Sequence, residues 1–208
     1  MPDTNLSPRI TATRDQIIAA TRGEIDAKGI LGLRVQDVAE RAHVSVPLIY
    51  KYFGDRDGLL SEVLVTMFDQ FVKAQVDTAR VMFNALTEPT VKDLFPIFRV
   101  PNDAARSSAR WANLQTMAAS IDNPGLRMKL GEVQIETINY LAVFLDEVQI
   151  RLTGQINTSS RELALFIRAY AFGFALNDLL TEQGQPVDTD LYVNLMLDLF
   201  ERAVVPQK

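Results

Sequence analysis

The chain has 208 residues, 48% of them hydrophobic, enough for one small module and one larger domain with its own core, and only the ends read as disordered. It has no cysteine and a single histidine, which removes disulfides and thiolate chemistry and leaves any His-based metal site or nucleophile triad without partners. The net charge of −5 is unevenly placed: residues 1–58 carry eight Lys/Arg and eight Asp/Glu, while residues 59–208 carry thirteen and eighteen, so the whole deficit (13 − 18 = −5) lies beyond a neutral first quarter.

Pro2 and Pro8 among polar residues make the first ten or so residues a loose arm. Thr11 or Thr13 then caps a helix reaching Lys28, with Ile17, Thr21 and Ile25 on one face and Gly29 as its stop. Gly23 beside Glu24 weakens or bends that helix. Residues 34–42 and 45–53 read as two short helices around a tight turn. Val35, Val38 and Ala39 face Val44, Ile49 and Phe53, Ser45 caps the second helix with its hydroxyl, and Pro47 suits a first turn. A long helix from Asp57 to about Leu86 keeps Leu60, Leu64, Met67, Phe68, Phe71 and Val72 on one side. Prolines 89, 96 and 101 then confine residues 90–100 to a short or kinked helix. Helices over 103–120 and 124–152 follow, parted by Asn123-Pro124-Gly125, and helices over 159–183 and 188–205 close an all-α chain.

The run from Arg34 to Leu60, ending in IYKYFGDRDGLL, resembles the TetR (tetracycline-repressor-like) family of dimeric transcriptional regulators. The resemblance implies an N-terminal three-helix DNA-binding module with a helix-turn-helix, residues 1–56, and a larger helical ligand-binding and dimerisation domain, residues 57–208. His43 holds the turn position usually given to Gly and must either take a left-handed conformation at some cost or shift the turn slightly. Along the second helix, Ser45, Val46, Pro47, Leu48, Lys51 and Tyr52 are the expected base readers, with Lys51 suited to guanine and Val46 or Leu48 to a thymine methyl. By resemblance Tyr50 and Arg56 bond phosphates, Arg34 and Gln36 meet backbone or neighbouring bases, and Thr13 or Arg14 reaches an adjacent phosphate.

The final two segments are apolar around much of their circumference, which calls for burial on more than one side; a partner copy would supply it as a four-helix bundle about a two-fold axis. Ala169, Gly173 and Asn177 form a small-residue strip there, and Ala169, Gly173, Leu176, Leu195 and Leu199 are the expected homodimer interface. The resemblance also implies a ligand pocket among the middle helices. Phe68, Phe71, Phe98, Trp111, Gln115, Met117, Tyr140, Phe144 and Asn177 are its candidate lining, for an effector that composition suggests is hydrophobic.

The favoured reading is therefore a homodimeric repressor released from a palindromic double-stranded DNA operator by a small molecule. A protein-interaction adaptor that keeps the helix-turn-helix is the alternative. An enzyme lacks chemistry: the carboxylates are scattered, His43 is alone, and no Gly-rich phosphate loop occurs. No cofactor or metal is expected. With no leader-like N-terminus and no run near the ~18 apolar residues of a membrane span, a soluble cytoplasmic protein is expected.

Overall fold

The computed structural model describes residues 8–94 and 104–205, which are helical with no strand. The helices are α1 (Pro8–Gly32), α2 (Val35–Arg41), α3 (Val46–Phe53), α4 (Arg56–Asn84), α5 (Ala104–Ala119), α6 (Pro124–Thr153), α7 (Ser160–Gly173), α8 (Ala175–Glu182) and α9 (Thr189–Val204). Packing divides them into two compact units, Met1–Met67 with Gln115–Leu130 and Phe68–Leu114 with Gly131–Lys208. The division falls inside α4, so the first turns of that helix pack with the N-terminal module.

In the first unit the apolar faces anticipated from periodicity converge: Ile17, Val38, Ile49, Leu59 and Val63 are fully buried, with Phe53, Leu60 and Leu64 around them. Each such side chain contributes roughly 1.5–3 kcal/mol of burial. The first helix begins earlier than a Thr cap would have it, at Pro8, a residue suited to a first turn. Gly29 breaks it as expected, with φ 71 and ψ 170, although helical bonding resumes as far as Gly32. Gly23 also has a spatial reason. A Cβ there would stand 2.8 Å from Nη1 of Arg41, whose guanidinium crosses α1 to bond Glu24 at 2.8 Å. Lys28 joins the same carboxylate at 2.8 Å and Asp37 at 2.7 Å, so four charges tie α1 to α2.

In the second unit, Val72, Val76 and Phe83 of α4 meet Phe144, Leu145 and Val148 of α6, with Ala164, Ile167, Val193, Met196, Leu197 and Phe200 completing the core. Phe83 and Phe144 pack edge to face at 6.2 Å. Polar groups hold the ends. Arg151 donates to the Phe83 carbonyl at 3.1 Å and to the Leu86 carbonyl, satisfying the C-terminus of α4. Buried Gln149 donates to the Thr158 carbonyl and accepts from the Asn157 and Thr158 amides, pinning the α6–α7 loop.

Two expectations for the second unit are corrected. The segment 159–183 is not one helix: it breaks after Gly173, where Phe174 (φ −65, ψ −13) ends α7 and opens α8. The break lets Phe174, 2% exposed, pack on Tyr170 and Tyr192 while Asp178 reaches a buried ion pair with Arg110, 2.9 Å from Nε. The same stretch, 160–182, is by length and composition apolar enough to cross a membrane, which was not expected; only a third of it is buried within the chain. Residues 91–94 form a single 3₁₀ turn, opened by Asp93 accepting from the Thr90 amide at 2.7 Å, and the rest of the helix expected over 90–100 lies outside the described residues.

Candidate nucleic-acid interface

The interface is built by the turn between α2 and α3. Ala42 is fully buried, His43 takes φ 50 as the turn requires, and the Val44 amide bonds back to the Ala39 carbonyl at 3.0 Å. Ser45 stands at the N-cap with extended backbone, and its carbonyl accepts from the Leu48 and Ile49 amides at 3.0 and 3.2 Å. Its side chain makes no capping bond, contrary to the reading from sequence; the hydroxyl is exposed instead.

Burial then sorts the faces of α3. Ile49 and Phe53 point into the core, while Pro47, Tyr50 and Lys51 fall at i, i+3 and i+4 on the exposed side. Val46, Leu48 and Tyr52 are half-buried. Val46 and Tyr52 pack on the module's core, with Tyr52 tilted 6.3 Å from Phe53, which leaves Ser45, Pro47, Lys51 and the exposed edge of Leu48 as the candidates open to solvent. Arg34 and Gln36 are exposed at the start of α2.

The cations divide into two kinds. Arg34 and Lys51 are exposed and make no ion pair among the described residues. Arg14 and Arg56, both expected at phosphates, are committed inward. Arg14 pairs with Glu62 of α4 and lies 5.5 Å over the Phe53 ring. Arg56 donates to the carbonyls of Ile30 at 3.1 Å and Leu33 at 3.3 Å, where α1 ends beyond the break at Gly29. Neither Glu62 nor those carbonyls carries a local sequence signal. Gly58 was also missed: an added Cβ would collide with the Phe53 carbonyl, so the last turn of α3 lies directly on the first turn of α4.

Residues 17–63 match the family model of bacterial regulatory proteins of the tetR type, and that span contains the helix-turn-helix with parts of both helices bracing it. An HTH-type transcriptional regulator BetI of Burkholderia mallei is 28% identical over 200 residues, 93% of this chain and 94% of its own length. Residues 17–63 thus carry a tetR-type DNA-binding region, and along nearly its whole length the chain is similar to a TetR-type regulator. BetI of Burkholderia thailandensis is 43% identical over 51 residues, 24% of this chain and 26% of its own length. A TetR-family transcriptional regulator from Rhodococcus sp. superimposes with a TM-score of 0.62 at 24% identity, covering 93% of this chain and 99% of its own. A Saccharomonospora viridis transcriptional regulator in complex with choline gives 0.62 at 18% identity, covering 95% and 100%. These similarities make the protein a DNA-binding transcriptional regulator and not an enzyme.

The candidate ligand residues are scattered. Phe98 and the side chain of Phe68 lie outside the described residues. Gln115 and Met117 are exposed and belong to the first unit; Phe71 is 39% exposed in the second. Phe144 is solid core, and the buried Asn177 amide accepts from the Val187 amide at 2.8 Å to close the α8–α9 loop, so neither is available to line a cavity. Tyr140, under the Arg80 guanidinium at 5.3 Å, donates to Asp77. Trp111 is half-buried, next to Arg110. The five interface candidates Ala169, Gly173, Leu176, Leu195 and Leu199 are all exposed, among further exposed apolar residues Leu165, Phe166, Leu179, Leu180 and Leu191.

Proposed function

We propose that the protein is a homodimeric repressor that binds a palindromic operator through two copies of α3 and releases it when a small molecule occupies the C-terminal domain. The observation carrying this reading is the apolar face of α7–α9: large side chains such as Leu176, 68% exposed, and Leu191, 69% exposed, line a surface that water disfavours. A two-fold copy of the same face would bury it and set two recognition helices at half-sites about one helical turn apart. The protein works in the cytoplasm, where its operator is.

The effector is a small, largely apolar molecule bound in the second unit beside Trp111. The choline held by the Saccharomonospora viridis protein supports an organic effector on this fold. It acts by differential affinity for two dimer arrangements, and a coupling of about 1–3 kcal/mol lowers operator affinity roughly 5- to 150-fold. Sedimentation of wild type and Leu176→Glu, with footprints on the DNA flanking the coding region, tests the reading. A wild-type dimer protecting a palindrome and a monomeric variant that protects nothing are expected. A monomeric wild type that protects a single half-site would overturn it.

A further inference from the structure

His43, the one histidine of the chain, stands at the corner of the turn between α2 and α3 with φ 50. That left-handed conformation costs a residue with a side chain free energy and costs glycine none. The corner is rigid. The His43 amide donates to the Glu40 carbonyl at 3.1 Å, the Val44 amide to the Ala39 carbonyl at 3.0 Å, and Gln16 of α1 to the Ala42 carbonyl at 2.8 Å. Backbone strain persists where the surroundings over-determine it, and it collects at functional positions.

Nothing within the fold offsets the cost. The imidazole is exposed and makes no hydrogen bond, ion pair or ring contact among the described residues. His43 precedes the N-cap Ser45 by two residues, so it opens the exposed series continued by Ser45, Pro47, Tyr50 and Lys51. In a helix-turn-helix the N-terminal residues of the recognition helix reach into the major groove while the preceding helix crosses the backbone. The turn joining the two therefore stands at the phosphate rim of the groove. With Arg14 and Arg56 engaged inside the module, the backbone contacts that set register must come from other donors. A histidine always offers one, since in either tautomer a ring nitrogen carries a hydrogen.

We propose that His43 is a DNA-backbone contact, its imidazole N–H donating to a phosphate oxygen at the edge of the groove that α3 enters. It positions the recognition helix and reads no base. The inference rests on DNA binding through α3 and requires neither the dimer nor the effector.

A phosphate contact is blind to sequence, so fluorescence anisotropy of the full chain on a mixed-sequence duplex at low salt, beside the DNA flanking the coding region, tests it. Asn and Asp share a shape and both tolerate positive φ, so His43→Asn and His43→Asp keep the turn while exchanging a neutral donor for an anionic acceptor. His43→Asn should bind within about threefold of wild type, and His43→Asp at least about tenfold more weakly, on both duplexes. His43→Gly, free of the strain, should melt no lower than wild type yet bind about three- to tenfold more weakly. A residue that only shaped the turn would move both readouts the same way. Undiminished affinity in His43→Gly overturns the assignment, as does a loss confined to one sequence. Failure of the wild type to bind any duplex overturns it together with the DNA reading on which it rests.

Discussion

The carbonyl oxygen of Phe53 occupies the place where a side chain on Gly58 would begin. The end of the recognition helix and the start of α4 therefore meet backbone to backbone. Gly58→Ala should cost about 1–3 kcal/mol, as overpacking does, and should lower operator affinity further by displacing α3. Gly131→Ala is the control. That position in α6 has open space and stands in a helix, so alanine there should stabilise by up to about 1 kcal/mol without touching DNA binding, as melts and gel shifts of the two variants would show.

On DNA, the free and the committed cations should separate. Arg34→Ala should flatten the dependence of log K on log salt by about one unit per subunit contact, with sequence preference unchanged. Lys51→Ala should change preference at one position of each half-site by about 1–3 kcal/mol. Arg56→Ala should leave the salt slope alone and destabilise the fold by roughly 1–3 kcal/mol, because it strips a charged donor from the carbonyls of Ile30 and Leu33. A reduced slope in Arg56→Ala would return that residue to the phosphates.

These contrasts mark what the sequence could reveal. Periodicity identified Ile17, Val38, Ile49 and Phe53 as core, and Gly29 and His43 as backbone specials, because each depends on local spacing or on one residue's φ. The inward commitment of Arg14 and Arg56 depends on partners 48 and 23–26 positions away, which no window contains. Likewise the break at Phe174 comes from its packing on Tyr192 and from the reach of Asp178 to Arg110, tertiary pulls on a segment whose composition is uniformly helical. Aromatic content failed as a guide to a pocket for the same reason: Phe144 is as apolar as any cavity wall and is simply filled in.

Acid stability should follow Glu24. Hydrogen bonds from Lys28 and then Arg41 hold its carboxyl below the ordinary value of 4.5. With the folded value under the unfolded one, the contribution is complete above 4.5 and is lost as pH falls through the folded value. Glu24→Gln should therefore melt lower than wild type at neutral pH, and the gap should close in acid. A gap that widens in acid would contradict the pairing.

Alkaline stability should follow Tyr170. Burial, helped by Tyr192, pushes its hydroxyl from 10.0 up to about 12, so the folded chain resists ionising a group that the unfolded chain gives up sooner. Its contribution is intact below 10 and drains away as pH rises toward 12. Tyr170→Phe should remove that part of the alkaline loss, seen as a shallower fall in melting temperature over this interval and one fewer late-titrating tyrosine by ultraviolet absorbance.

The inward engagement of Arg14 and Arg56 also bears on how the regulator shares itself between its operator and the rest of a chromosome. Phosphate grip is what DNA of every sequence offers equally, and a module that keeps two of its candidate cations for its own architecture has less of it to give. Bulk genomic DNA is then a shallow sink. More of the protein stays free to reach its own site, and fewer copies per cell suffice to keep that site occupied.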